Sequence, residues 1–263
     1  MISAGKVTPR SGCLVDARLL DWHDVHVWLV SLDEHAPHLD ELRQVLSAEE
    51  RHRAAQFVRE ADRVRFAVGR GILRRLLGHY LDMPPKDVEL RSTAFGKPEV
   101  AAVTGEPSIQ FNLSHSGGQA AYAFARGRRV GIDLEAVRPL SDLDGMVRQV
   151  LTMQEQREFN RLPPTLRLPA FYQCWTRKEA VTKAMGEGLG RSFHSIQVGL
   201  LPGEEPEVKM VVGGPHAAVR WGVHAIPTES DYVAALVVEG DGCRPRYRWW
   251  HPMKTTLNSI RES

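Results

Sequence analysis

The chain has 263 residues, which is enough for one large domain or two smaller ones. Hydrophobic residues make up 43% of it and charged residues 25%, the composition of an ordinary globular protein. Its 34 basic and 32 acidic residues nearly cancel, so the sequence lacks the concentrated basic surface that non-specific binding of nucleic acid requires.

Targeting and redox features indicate the cytoplasm. No apolar run approaches the roughly 20 residues of a membrane-spanning helix, and residues 1–10 lack the apolar segment of a secretory signal. The three cysteines, Cys13, Cys174 and Cys243, are widely spaced and form no CxxC pair. We therefore predict a cytoplasmic protein with free thiols, no membrane contact and no disulfide or zinc framework.

The first half of the chain combines strands with one long helical region. Residues 24–32 alternate as a strand does. Ser47 and Glu50 have the spacing of a capping box and open a helical region that continues to residue 79. Turns are predicted at 84–85 and 94–98, and strands at 109–113, 119–125 and 130–135.

The second half begins with helical patterns and ends with short strands. Helices are predicted at 143–159 and 170–185, separated by the breaker Arg161-Leu-Pro-Pro164. Strands are predicted at 195–200, 207–212, 220–225 and 232–238, and the tail after Gly240 has no clear pattern. This arrangement favours an α+β fold with an N-terminal lobe over 1–140, a C-terminal lobe over 141–240 and a tail over 241–263.

Charged residues on one strand and one helix predict a site for phosphate chemistry. Asp133 and Glu135 lie two apart in a strand and point to one side of it. Glu179 and Lys183 lie four apart in a helix and share a face. Three carboxylates suit magnesium, which completes its coordination with water and substrate phosphate. Read singly, the strand pair is a common chance pattern, and Glu179 with Lys183 is equally consistent with a surface ion pair.

Two turn-like segments carry further polar groups. Phe95-Gly96-Lys97-Pro98 by itself indicates a turn with an exposed lysine. In Asn112-Leu-Ser-His-Ser116, His115 is equally consistent with a loop histidine that hydrogen-bonds to the backbone. Ser114 and His115 are adjacent, which does not give the geometry of a serine nucleophile and its base, so we exclude a serine hydrolase.

Together these motifs resemble the 4'-phosphopantetheinyl transferases, in the larger, monomeric type that activates peptide and polyketide synthetases or lysine biosynthesis. The resemblance rests on four segments in the family's order and covers roughly residues 45 to 200: Phe95–Pro98, Phe111–Ser116, Gly131–Glu135 and Trp175–Lys183. It implies two similar lobes about a pseudo-twofold axis, each a small mixed or antiparallel sheet with a long helix. The active site is then expected in the cleft between the lobes.

The resemblance also implies a reaction. The phosphopantetheine arm of coenzyme A moves to a serine of an apo acyl or peptidyl carrier protein, and adenosine 3',5'-bisphosphate leaves. Asp133, Glu135 and Glu179 match the family's ligands for Mg2+, with Mn2+ as an alternative ion. Glu179 is the expected base, directly or through a water, and Lys183 is expected to contact the pyrophosphate. A third acid in related enzymes occupies the position of Leu134, so we expect a water to fill that coordination position.

The coenzyme A contacts follow from the same resemblance. His115 and Arg53 are expected near the 3'-phosphate, and Arg65 beside them. The carrier is expected to dock after Lys183, around Met185, Leu189, Arg191 and Phe193, although core packing of Leu189 and Phe193 is an equal alternative. The full set of expected contacts is Arg53, Arg65, Gly96, Lys97, Pro98, Asn112, Ser114, His115, Asp133, Glu179 and Lys183.

Two other functions use the same residues. A magnesium-dependent hydrolase of nucleotide pyrophosphates would need the three acids but leaves His115 and Lys97 without a role. A non-catalytic protein that binds carriers would need none of the acids or Lys183. We therefore expect the transferase, active as a monomer without nucleic acid.

Overall fold

The computed structural model describes residues 20–93, 95–101, 108–186, 192–201, 204–213 and 219–251. Its helices are α1 (Leu39–Arg43), α2 (Ala48–Ala55), α3 (Glu60–Leu81), α4 (Leu143–Val150), α5 (Met153–Asn160) and α6 (Pro164–Met185). Its strands are β1 (Asp24–Ser31), β2 (Leu90–Ser92), β3 (Pro98–Val100), β4 (Ile109–Ser116), β5 (Gln119–Arg126), β6 (Val130–Ala136), β7 (Ile196–Val198), β8 (Val208–Val211), β9 (Trp221–Ala225), β10 (Tyr232–Glu239) and β11 (Arg244–Trp249). This mixture of small sheets and helices confirms the predicted α+β class.

Two regions predicted as single helices are each divided into two helices. The helix predicted at 143–159 is α4 and α5, because Thr152 caps a new helix with a capping box to Glu155. The Thr152 spacing is visible in the sequence and was missed. The predicted capping box of Ser47 and Glu50 is present and opens α2, but α2 ends at Ala55 and α3 starts at Glu60.

A four-stranded sheet in the order β11-β1-β5-β4 forms the first half. Helix α3, 22 residues long, covers one face of this sheet. Its apolar side chains Val68, Ile72 and Leu76 share a buried cluster with Trp28 and Phe124 of the strands. This burial of apolar area from water is the main force that holds the helix on the sheet.

The second half repeats this plan. Strands β6, β10 and β9 form an antiparallel sheet, and the 22-residue helix α6 covers one face of it. Ala180 and Ala184 of α6 share a buried cluster with Ala235 and Val237 of β10. Each half is thus a small sheet with one long helix, as the two-lobe prediction expected.

The two sheets also contact each other. Val27 and Ala123 of the first sheet share a buried cluster with Ile132 and Leu236 of the second. Strand β4 lies beside β6, where Ile132 N–H donates to the side-chain oxygen of Asn112 at 2.8 Å. Polar side chains of β4 therefore face the backbone and side chains of β6 at the boundary between the halves.

The strand pairings cross the predicted lobe boundaries in two places. Strand β6 precedes residue 140 but pairs with β10 in the second sheet. Strand β11 lies in the predicted tail but pairs in parallel with β1, and Arg244 Nε lies 3.1 Å from Asp24 Oδ1. The sequence gives no clear pattern for 244–249, because this strand pairs with β1, more than 200 residues away. The exact lobe division stays a prediction.

None of the helices within the described ranges is long and apolar enough to cross a membrane. Cys174 and Cys243 are free thiols. Cys13 lies outside the described residues.

Candidate active site

A cavity of about 910 Å3 lies between the two halves, with α3 and β4 on one side and β6 and α6 on the other. Every site residue that the sequence predicted lines this cavity. These residues are Arg53, Arg65, Gly96, Lys97, Pro98, Asn112, Ser114, His115, Asp133, Glu135, Glu179 and Lys183. Residues from six separate stretches of sequence thus meet at one boundary.

Strand β6 alternates between two environments. Asp133 and Glu135 line the cavity, whereas Leu134 points into the core between the sheets and is 2% exposed. Side chains alternate along a strand, so Leu134 faces away from the acids and is no ligand, as expected, while the water at that coordination position stays a prediction. The site on β6 therefore has two acids and no third position.

Gly131 lets helix α6 approach the acids closely. A Cβ atom at this position would lie 2.0 Å from the backbone oxygen of Ala180. The helix can occupy its place only because residue 131 has no side chain. This contact fixes the distance between the acids on β6 and the polar face of α6.

Helix α6 carries Glu179 and Lys183 into the cavity. It begins at Pro164, six residues before the prediction, with proline in the first turn. It ends at Met185, and the next residue, Gly186, has a left-handed φ of 75°. Lys183 Nζ lies 2.6 Å from Asp133 Oδ1 and donates to Ser114 Oγ at 3.1 Å. Ser114 Oγ in turn donates to Asp133 Oδ1 at 2.9 Å. The ammonium therefore links α6 to β6 and β4.

Two of the acids, Glu135 and Glu179, have raised pKa values. Burial raises the pKa of Glu179, and the Asp133 carboxylate raises it further, while Lys183 opposes the rise. Burial also raises the pKa of Glu135, against a 2.8 Å hydrogen bond from Ser116 Oγ. Negative charge in this part of the cavity is thus only partly balanced by Lys183.

The three acids together have the chemistry of ligands for a hard divalent cation. In the part of the chain that the structure describes, no group of three or more His, Cys, Asp or Glu side chains is arranged to hold a metal ion. However, Asp133 Oδ2 is buried and has no hydrogen-bond partner, an expensive state for a carboxylate oxygen. The raised pKa values of Glu135 and Glu179 show that added positive charge would be favourable here. This donor set fits a hard divalent cation, with Asp133 as its first ligand.

The opposite side of the cavity is cationic. The guanidinium carbons of Arg53 and Arg70 each lie 5.6 Å from the ring centre of Phe66. Arg65, an expected coenzyme A contact, already makes two hydrogen bonds of 2.7 Å with Asp33. Its side chain is therefore engaged within the protein. The sequence prediction missed Arg70 and Ser116, since neither stands out in its local pattern.

His115 lies on the cavity wall between the two regions. Burial lowers its pKa, the cations of Lys183 and Arg70 lower it further, and Asp62 opposes this. The imidazole is therefore neutral near pH 7 in the free protein. A charged imidazolium at this position requires an anion beside it.

The hairpin β2–β3 brings its turn to the end of helix α6. Gly96 has a φ of 78°, and its N–H donates to Thr93 O at 2.9 Å. Lys97 N–H donates to Thr93 Oγ1 at 3.1 Å, and Lys97 Nζ donates to the backbone oxygen of Lys183 at 3.0 Å. The lysine side chain thus crosses from the first half to the second.

Of the four residues expected to form the carrier surface, the structure describes Met185 and Phe193. Met185 is 6% exposed and packs in the core of the second half, and Phe193 packs against the same core. The prediction of Met185 as a surface contact is wrong, because its side chain is on the sheet-facing side of α6. Leu189 and Arg191 lie outside the described residues.

Comparisons with known proteins decide the family. The model of the 4'-phosphopantetheinyl transferase N-terminal region matches residues 33–126. The model of the 4'-phosphopantetheinyl transferase superfamily matches residues 129–237. The 4'-phosphopantetheinyl transferase HetI of Nostoc sp. PCC 7120 is 35% identical over 87% of this chain and 92% of its own length. The chain belongs to the 4'-phosphopantetheinyl transferase superfamily.

Other members of the superfamily are more distant. The human L-aminoadipate-semialdehyde dehydrogenase-phosphopantetheinyl transferase is 30% identical over 60% of this chain and 53% of its own. A Bacillus anthracis holo-(acyl-carrier-protein) synthase, solved in complex with CoA, covers 42% of this chain and 93% of its own at 24% identity and a TM-score of 0.35. The two successive family matches place this phosphopantetheinyl transferase in the larger type, which confirms the class predicted from the motifs.

Proposed function

We propose that this phosphopantetheinyl transferase moves the 4'-phosphopantetheine arm of coenzyme A to a serine of an apo acyl or peptidyl carrier protein and releases adenosine 3',5'-bisphosphate. One observation carries the proposal: Lys183 Nζ lies 2.6 Å from Asp133 Oδ1 in a cavity that both halves of the chain line. The cationic corner of this cavity, formed by Arg53 and Arg70, suits the 3'-phosphate of coenzyme A. The acidic corner, formed by Asp133, Glu135 and Glu179 beside Lys183, suits its pyrophosphate with a divalent cation.

Asp133, Glu135 and Glu179 would hold Mg2+, or Mn2+ in its place. Bound there, the ion supplies neutralisation of the phosphate oxygens and of the charge on the leaving phosphate. The buried, unpartnered Oδ2 of Asp133 supports this role. The raised pKa values of the other two acids support it also.

The side chains of α6 carry the proton and charge steps. The carrier serine oxygen bonds to the β-phosphorus of coenzyme A, and the bond from that phosphorus to the bridging oxygen breaks. Glu179 takes the serine proton, directly or through a water. Lys183, fixed by Asp133 and Ser114, donates to the pyrophosphate.

Coenzyme A recognition is assigned to the cationic corner and the hairpin turn. Arg53, Arg70 and His115 surround the place for the 3'-phosphate, where His115 takes up a proton as the anion binds. The turn at Gly96 and Pro98 and the β4 residues Asn112 and Ser114 line the remaining cavity. Arg65 contributes only if it leaves Asp33.

The partners follow from this reaction: coenzyme A and an apo carrier protein, without nucleic acid or membrane. The carrier surface stays open, since Met185 is buried. A monomeric state and a cytoplasmic location remain predictions.

The proposal is tested by incubating the protein with coenzyme A, Mg2+ and an apo carrier and measuring the intact mass of the carrier. We expect the mass of one phosphopantetheine arm to be added to the carrier serine, and no addition without Mg2+. A serine-to-alanine carrier is the matched control. Cleavage of coenzyme A without a carrier would establish the hydrolase instead, and binding without any reaction would establish the non-catalytic protein.

A further inference from the structure

The ammonium of Lys97 ends on a backbone carbonyl. Lys97 is half-buried at the turn between β2 and β3, and its Nζ donates to the oxygen of Lys183 at 3.0 Å. The family resemblance implies that this lysine contacts coenzyme A. In the structure its charge is directed to the last turn of α6.

The end of a helix needs such a partner. The final carbonyls of an α-helix have no intrahelical donors, and together they carry a partial negative charge. In α6 the carbonyl of Thr182 is satisfied by Gly186 N–H at 3.1 Å. The next carbonyl, that of Lys183, accepts from Lys97 instead. A cation from the other half of the protein thus caps the C-terminus of α6.

Lys97 binds the backbone of Lys183, and the side chain of Lys183 is bound as well. The Lys183 side chain reaches Asp133 Oδ1 at 2.6 Å and Ser114 Oγ at 3.1 Å, while its backbone oxygen is bound by Lys97. Glu179 lies one turn earlier on the same helix. Any fraying of the last turn of α6 would therefore displace the ammonium from the acids.

We propose that Lys97 is a positioning residue, whose ammonium caps α6 and fixes Lys183 in the active site instead of binding coenzyme A. This inference rests on the proposed transferase function for its kinetic part. Since Gly96 and Pro98 of the same turn line the cavity, the turn also couples the cavity wall to the helix that carries Glu179 and Lys183.

Steady-state kinetics separate positioning from binding. Lys97→Met keeps the aliphatic stem and removes the cation. We expect kcat to fall about tenfold while KM for coenzyme A stays within about twofold, because the misplaced group acts in the transition state. Lys97→Arg can still donate to the Lys183 carbonyl and should recover most of the rate. Lys86→Met, at an exposed lysine of the same half, is the matched control.

Hydrogen exchange tests the cap without any reaction. In the substrate-free protein, Lys97→Met should speed the exchange of amides 183–186 about tenfold and leave α3 unchanged. Unchanged exchange would overturn the proposal, as would a raised KM for coenzyme A with an unchanged kcat, or no kinetic effect at all. If the parent protein itself fails to modify a carrier, the proposed function fails, and the exchange result alone decides whether Lys97 caps α6. If Lys97→Met does not fold, Lys97→Gln is measured in the same way.

Discussion

The contact between Gly131 and helix α6 allows a sharp prediction for Gly131→Ala. The new Cβ would lie 2.0 Å from Ala180 O and 2.5 Å from Ala184 N, both backbone atoms that cannot rotate away. To restore an ordinary contact of 3.4 Å, α6 must withdraw from β6 by about 1.4 Å. That shift would break the 2.6 Å contact between Lys183 Nζ and Asp133 Oδ1.

We expect Gly131→Ala to lower kcat/KM for carrier modification by about 100-fold, since a displacement of about 1 Å at a catalytic group costs that much. Overpacking should also reduce the free energy of unfolding by about 1–3 kcal/mol. Urea denaturation measures the stability, and carrier mass against time measures the rate.

Gly199→Ala is the matched control for this prediction. Gly199 is also buried, but the nearest atom to its new Cβ would be a side-chain nitrogen of Arg177 at 3.4 Å. We expect this variant to keep nearly the parent rate. A folded Gly131→Ala protein with a rate within about fivefold of the parent would refute the reasoning. That result would mean that catalysis does not depend on the position of α6 relative to β6.

Three further predictions test single groups. Asp133→Asn should reduce carrier modification by at least about 100-fold in a folded protein, since it removes charge where the phosphates are balanced; near-parental turnover would contradict the assignment. His115→Ala should raise KM for coenzyme A about tenfold and leave KM for dephospho-coenzyme A unchanged. In the parent alone, the affinity for coenzyme A should weaken as pH rises through the pKa of His115 in the complex, because the bound anion raises that pKa. An equal loss with both donors would place the nucleotide elsewhere. Lys178 and Glu155, both with 0% exposed side chains, form a 2.6 Å ion pair. Lys178→Met should therefore lower the free energy of unfolding, measured in urea, by about 3–5 kcal/mol, and adding Glu155→Gln should restore part of it. A loss below about 1 kcal/mol would show that the pair is not stabilising.

Local periodicity explains why much of the site could be predicted. Asp133 and Glu135 share a side because strands alternate, and Glu179 and Lys183 share a face because helices repeat every 3.6 residues. These relations need no knowledge of the tertiary fold. The burial of Leu134 on the opposite side of β6 follows from the same alternation.

Partners across the fold could not be predicted in this way. Lys183 pairs with Asp133 fifty residues away, and Lys97 reaches the Lys183 carbonyl 86 residues away. Arg65 pairs with Asp33, which lies 32 residues away in the turn after β1. These contacts depend on tertiary packing, and no spacing between residues in the sequence predicts that packing.

The stoichiometry of products tests the central claim most directly. Coenzyme A, Mg2+ and an apo carrier are incubated with the parent protein and with Asp133→Asn, and adenosine 3',5'-bisphosphate and modified carrier are quantified together. The account predicts one bisphosphate for each modified carrier with the parent, none without the carrier, and almost none with Asp133→Asn. Bisphosphate released in the absence of a carrier, or carrier modified as fast by Asp133→Asn as by the parent, would contradict it.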